Sequence, residues 1–255
     1  MNDVLIGLHQ ITKMYSADKG VTHINLEVHA GTIHGLIGAN GSGKTTLIKI
    51  MLNQLKVDSG HVSWEGRTLG ASEYQYRKRI GYMPDDEALL DHLTPMEIVR
   101  FAGYTYGMEK NKIEENARTL FELLELSDVH SNVNGFSRGM RKKVQLAVAM
   151  IHHPKLIILD EPIAGFDPNM IYIIKQLLSE LRNHGTTVLV STHDLHFADQ
   201  LADCVTMIDQ GKLLLTGNKD EILHQYAVNT IEELFVKLKL KPSSKELITR
   251  VVANL

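Results

Sequence analysis

The chain has 255 residues, of which 44% are hydrophobic and 22% charged, and a formal net charge of −3. A chain of this size buries roughly 70–75% of its unfolded surface and needs no disulfide or metal staple; the lone Cys204 cannot form an internal disulfide and is compatible with a reducing compartment. The mild acidity argues against a nucleic-acid or anionic-membrane binder, the N-terminus lacks a signal peptide's basic region, and no run approaches the ~18 apolar residues of a membrane span.

The chain opens on short, partly alternating segments, Val4–Leu8 and Val21–Val28, which read as half-buried antiparallel strands. Ile33–Ile37 reads as a buried strand, followed by a glycine-rich loop and a helix over Thr45–Leu55. Gly60–Trp64 and Ile80–Met83 read as further strands. Thr94, Pro95 and Glu97 spell a helix start, with an N-cap, a first-position proline and a capping box. Helical patterns follow over Ile113–Leu126 and Met140–His152. Then come a strand (Leu156–Leu159), a helix (Met170–Asn183), a strand (Thr187–Ser191), a helix (Leu195–Cys204) and a hairpin of Val205–Ile208 with Lys212–Leu215. Alternation of strands and helices predicts an α/β fold with a mainly parallel core sheet. The early strands add an antiparallel β patch, and the helix-rich stretch from about 87 to 148 reads as an inserted α-helical subdomain. Residues 217–255 read as a helical extension whose Lys237, Lys239, Lys241, Lys245 and Arg250 form a solvated face or a dock for acidic headgroups or a partner.

Three motifs carry chemistry. Gly38-Ala39-Asn40-Gly41-Ser42-Gly43-Lys44-Thr45 matches the phosphate-loop pattern in full, between an apolar strand and a helix. Its glycines let successive N–H groups turn inward on phosphate oxygens, and the following helix presents its positive end to the same anion. Lys44 supplies a point charge to the β- and γ-phosphates, Thr45 a hydroxyl to Mg²⁺, and Thr46 belongs with the nucleotide-binding residues. Asp160 ends a buried strand and suits a Mg²⁺ ligand. Glu161 beside it suits the general base that polarises an attacking water; two adjacent carboxylates repel unless a cation or proton lies between them. Ser137 and Gly139 precede a helix start and can offer a hydroxyl, an N–H and a helix dipole to a second phosphate. Asp160 follows Ser137 by 23 residues.

In motif order and spacing, residues 4–216 resemble the ATP-binding cassette (ABC) ATPases, P-loop NTPases in which two copies clamp two ATP molecules. The resemblance implies that each ATP lies between one subunit's phosphate loop and the other's Ser137–Gly139 signature. It implies that Tyr15 stacks on adenine, that Asp167 touches the partner subunit and that His193 senses the γ-phosphate. Two departures stand out. Asp85 occupies the position of the family's loop glutamine, which leaves its direct contact with Mg²⁺ open, and the signature reads Phe136-Ser137-Arg138-Gly139-Met140. Both resemble the bacterial export-type branch with a separate permease. The function so implied is an ATPase subunit, homo- or heterodimeric, lying in the cytoplasm on the inner face of the cell membrane through its permease. The permease docks near residues 85–106, and the exported class is a drug, a peptide or lantibiotic, or a polysaccharide. A non-transport single-cassette ATPase of the Fe–S assembly type stands as the alternative. A small-molecule P-loop kinase leaves the Ser137 signature without a role. His152 and His153 read as surface or loop residues rather than metal ligands.

Overall fold

The computed structural model describes residues 3–70, 72–86 and 89–239. Two sheets organise them. The first is antiparallel: β1 (Val4–Ser16) pairs with β2 (Lys19–His29) and with β4 (Ser59–Trp64), and β4 pairs with β5 (Arg67–Thr68). The second contains β3 (Ile33–Ile37), β6 (Ile80–Met83), β7 (Leu156–Asp160), β8 (Thr187–Thr192), β9 (Cys204–Asp209) and β10 (Lys212–Asn218). Its order is β10-β9-β3-β8-β7-β6, with every pairing parallel except the β9–β10 hairpin at the edge. This is the expected mainly parallel core sheet with an antiparallel patch.

The apolar run of β7 follows from burial on both faces, as parallel sheets require. Successive side chains of a strand point to opposite faces. Leu156 and Ile158 pack with α1 (Lys44–Met51) and the antiparallel sheet, through Leu47, Ile48, Leu8 and Ile24. Ile157 and Leu159 pack on the other face, in a core shared with α4 (Arg138–Met150) and α5 (Pro168–Asn183). That core extends into α2 (Pro95–Thr105) and α3 (Lys110–Leu123) through Val99, Ile113, Ala117 and Phe121. The capping box of α2 forms as expected: Thr94 Oγ1 accepts from Glu97 N at 3.3 Å and Thr94 N donates to Glu97 Oε2 at 2.8 Å.

Several boundaries differ from the sequence reading. β1 runs to Ser16, well past Leu8, because its whole length pairs with β2. α4 begins at Arg138 because Ser137 caps it. α6 (Leu195–Leu201) stops before Cys204 because Asp203 leaves the helix to serve β3: its N donates to Ile33 O at 2.8 Å, and its Oδ2 accepts from Ile33 N at 2.8 Å. His152 lies in the turn after α4, as a loop residue, and is half-buried. Its ring stacks on Tyr106 with centroids 3.6 Å apart, and burial lowers its pKa to about 4.

After the hairpin, α7 (Lys219–Gln225) and α8 (Ile231–Lys239) follow. Ile222, Ile231 and Leu234 pack against Ile37, Ala198 and Val205. Lys239 pairs with Asp209 and Lys237 Nζ donates to Tyr226 O at 2.6 Å, so both ammonium groups have intrachain partners. Lys241, Lys245 and Arg250 lie outside the described residues.

The hairpin tip also braces the phosphate loop. Gln210 and Gly211 have φ of 47° and 73°, the positive pair that a tight two-residue hairpin turn needs. Gly211 N donates to Ser42 O at 2.9 Å while Gly211 O accepts from Thr22 N at 2.9 Å. A Cβ at Gly211 would lie 1.9 Å from Gly20 O, so the loop, β2 and the hairpin meet only through a glycine.

His34, in central strand β3, is fully buried with Nε2 2.8 Å from Thr206 Oγ1. Burial, helped by nearby His29, lowers its pKa to about 3. Below its ordinary pKa the unfolded chain binds a proton at this position that the folded chain refuses, so folding stability falls as pH drops from about 6.5 toward about 3. From about pH 7 to about pH 5 this contributes a loss of about 2 kcal/mol. Urea unfolding of His34→Gln at the two pH values should show a loss smaller than wild type by about that amount.

Candidate active site

The carboxyl ends of β3, β7 and β8 lie side by side, because β8 pairs with both of the others. In an open α/β sheet this rim is where ligands bind. The loop from Gly38 to Gly43 leaves β3 and opens α1. Gly41 and Gly43 have φ of 78° and 114°, and a Cβ at Gly43 would lie 2.6 Å from Val21 Cγ1. Glycine is therefore required at 43 on both conformational and steric grounds.

Lys44 is buried inside this loop, 6% exposed. Its Nζ donates to Gly38 O at 2.8 Å and Ala39 O at 3.4 Å and lies 3.3 Å from Glu161 Oε1. Asn40, Gly41 and Thr45 are exposed on the outside of the same turn. Ser42 Oγ, by contrast, is buried without a hydrogen-bond partner. A buried hydroxyl left unpaired costs about 1–3 kcal/mol.

Asp160, at the end of β7, is 1% exposed. Thr45 Oγ1 donates to its Oδ2 at 2.8 Å, and Ser191 Oγ donates to its Oδ1. Burial raises the Asp160 pKa, against the pull of these two hydroxyls, with Asp85 and Glu161 adding to the rise. Glu161 follows with φ of 50°, a left-handed conformation that costs a non-glycine residue roughly 1–2 kcal/mol. The turn is held at its N–H, which donates to Ser191 O at 3.0 Å. Its carboxylate meets His193 Nδ1 at 2.9 Å and accepts from Thr192 Oγ1 at 3.4 Å. His193 itself is exposed, beyond the end of β8.

Lys44, Thr45, Asp160, Glu161 and His193 thus come together. Tyr15 stands at the edge of this group, exposed, with its hydroxyl 3.4 Å from Thr46 Oγ1. Ser137 and Gly139 take no part in it within this chain. Ser137 Oγ caps α4 by accepting from Met140 N at 3.3 Å. Gly139 lies against the loop after β7, where a Cβ would approach Gly165 O at 3.0 Å. Asp167 caps α5 through Met170 N at 2.9 Å, which lowers its pKa. Asp85 is half-exposed, and its Oδ1 faces two cations, Lys142 at 3.5 Å and Arg138 at 3.6 Å. Sequence reasoning missed Ser191, Thr192 and Lys142. The first two are β-branched or small polar residues at a strand end, indistinguishable from packing. Lys142 carried one signal, a charge one helical turn after Arg138 on a helix whose inner face is otherwise apolar apart from Gln145.

The residues present fit a nucleoside triphosphate with a divalent cation. A buried ammonium, a glycine loop at a helix N-terminus and an unpartnered Ser42 hydroxyl suit phosphate oxygens. A hard cation beside Thr45 and Asp160 would relieve the crowding of buried carboxylates.

Comparisons with known proteins give the family and the fold. Residues 21–164 match the family model described as ABC transporter. The chain is 34% identical over 244 residues to ABC transporter G family member 20 of Dictyostelium discoideum, covering 95% of this chain and 33% of that protein. It is 33% identical over 223 residues to the daunorubicin resistance ATP-binding protein DrrA3 of Streptomyces coeruleorubidus, covering 87% of this chain and 71% of that one. The chain therefore spans about a third of the former relative and most of the latter. Among solved structures it is similar to an ATP-binding subunit of an ABC transporter, with a TM-score of 0.86 at 29% identity, covering 92% of this chain and 100% of the other. A dimeric ATP-binding cassette in a post-hydrolysis state with ADP and Pi matches with a TM-score of 0.77 at 25% identity, covering 84% and 98%. Fold and site together define a P-loop ATPase. The chain belongs to the ABC transporter family and is the ATP-binding, ATP-hydrolysing module of such a transporter. The comparisons lend no support to the Fe–S assembly alternative.

Because Ser137 caps α4 in the single chain, Ser137→Ala should lower unfolding stability in urea by roughly 1 kcal/mol. A threonine there should retain most of it.

Proposed function

We propose that this chain hydrolyses ATP at the interface of two cassettes and drives a separate membrane permease, in the direction of export. The observation that carries this reading is the Glu161 carboxylate, held between Lys44 at 3.3 Å and His193 at 2.9 Å beside the Thr45–Asp160 pair.

The proposed roles follow from that arrangement. The N–H groups from Gly38 to Thr46, with Asn40 on the outer rim, cradle the phosphates, and Lys44 supplies charge to the β- and γ-phosphates. Tyr15 gives the adenine a stacking surface within reach of Thr46. Thr45 and Asp160 would hold Mg²⁺, which when bound neutralises charge on the β- and γ-oxygens. Asp85 faces the same region through its charge, although its Oδ1 already meets Lys142 and Arg138. Glu161 takes the proton of the attacking water, and His193 orients that carboxylate and meets the γ-phosphate. Ser137 and Gly139 serve the ATP held by the partner cassette, which fits their separation from this chain's own site. Closing the dimer around ATP and opening it after hydrolysis then forms the conformational cycle.

The proposed organisation is an ATPase domain over residues 1–216, with helices inserted over about 87–148, and an extension over 217–255. No helix among the described residues is long and apolar enough to cross a membrane. Association with the inner face of the cell membrane would come through the permease, which docks near residues 85–106. Phe101 and Tyr104, exposed on α2, offer apolar area there. The export direction rests on the resemblance to DrrA3, whose name assigns it to drug resistance.

Glu161→Gln should cut ATP turnover roughly 10²–10⁴-fold, the usual contribution of a positioned base, while ATP still binds and drives dimerisation in size-exclusion chromatography. Turnover at the wild-type rate would remove Glu161 from the role of base. In Lys44→Ala, equilibrium ATP affinity should drop sharply.

A further inference from the structure

Lys142 is among the largest fully buried side chains of the described residues, at 0% exposure. An ammonium at such a depth is costly unless hydrogen bonds and opposite charge compensate it, and a methionine would fill similar space without that cost. Packing alone therefore does not account for a lysine. Its two partners belong to the site described above. Nζ donates to the backbone carbonyl of Glu161 at 2.5 Å and lies 3.5 Å from Asp85 Oδ1.

The same stripe of α4 holds two further contacts. Arg138, one turn earlier, lies 3.6 Å from the same Asp85 oxygen. Gln145, one turn later, donates through Nε2 to Asp86 O at 2.6 Å. Positions 138, 142 and 145 share one face of the helix. Thus α4 grips the segment after β6 at Asp85 and Asp86, and grips the turn after β7 at Glu161.

That turn is the one with φ of 50°. Its N–H is held by Ser191 O and its carbonyl by Lys142, so the two peptide groups that flank the Glu161 Cα are both tethered. The direction of the Glu161 side chain depends on both tethers. We infer that Lys142 is a positioning residue for hydrolysis: it fixes the backbone of the Glu161 turn, and Asp85 holds Lys142 in place, so that the segment after β6 and the base are coupled through one ammonium group. This rests on the reading of Glu161 as the base. It assigns Asp85 a role, orienting Lys142, that requires no direct contact with a metal ion.

The test is steady-state ATP hydrolysis by the full-length chain, with folding followed by circular dichroism. Lys142→Met should lower kcat roughly 10–100-fold, the range typical when a group that orients a site residue is lost, with KM for ATP little changed. Lys142→Arg should recover most of the rate. Asp85→Asn, at a carboxylate 49% exposed and with its folding followed in the same way, should lower kcat in the wild-type background and cause no further fall in Lys142→Met. Wild-type kcat in folded Lys142→Met overturns the proposal, as does an Asp85→Asn effect that is the same in both backgrounds. If Lys142→Met does not fold, Asp85→Asn decides alone, and wild-type kcat in it overturns the proposal. Glu161→Gln run in parallel separates the two readings. If it turns over normally, the base assignment fails; if it is inactive while Lys142→Met is normal, only the coupling fails.

Discussion

Lys44, at the start of α1, and Asp160 and Glu161, at the end of β7, are buried together on the carboxyl rim of the core sheet, and the neighbouring structure is arranged to make that tolerable. Three charges with little solvent are stable only if they answer one another and if hydroxyls and carbonyls satisfy what remains. Lys44 finds two carbonyls of its own loop and the Glu161 carboxylate; Asp160 finds Thr45 and Ser191; Glu161 finds Thr192 and His193. Burial still raises the Asp160 pKa, with Asp85 and Glu161 adding to the rise. A divalent cation would supply the counter-charge that the two carboxylates lack, and the Lys44 ammonium would meet the phosphates.

The fold serves this cluster by rigidity. The two hydrophobic cores clamp the strands from opposite faces, so the strand ends cannot shift independently. The phosphate loop is braced from behind by the Gly211 turn, and the Glu161 turn by Ser191 and Lys142. The signature residues of α4 lie apart from this cluster and face away into a cap and a neighbouring loop. Under the proposed function a single chain would carry two half-sites, the one around Lys44 and Glu161 and the one at the start of α4.

Much of the fold was legible in the sequence. Phosphate-loop glycines, the run Leu156–Leu159 before two carboxylates, and the Thr94–Glu97 capping box are all short-range signals. Their physics acts within a few residues: φ restrictions, strand periodicity and side-chain capping. The boundaries that shifted were those set by distant partners. β1 lengthened because β2 lay beside it, and α6 shortened because Asp203 was needed by Ile33, 170 residues away. His152 lies in the turn after α4 as a loop residue, and its half-burial was not legible because the ring that covers it, Tyr106, stands at the end of a different helix, α2.

The sequence by itself determined the class of chemistry, because a phosphate cradle is made from contiguous backbone and its residue pattern is local. It also determined that Asp160 and Glu161 share a rim, since they are neighbours in the chain. Only the tertiary structure decided how those carboxylates are held. Thr45 reaches Asp160 across 115 positions, and Lys142 reaches the Glu161 carbonyl across 19 and Asp85 across 57. Helical periodicity states that residues 138, 142 and 145 share a face. It does not state what that face meets, because that depends on how the helix is seated on β6, which the long-range packing of their shared core sets.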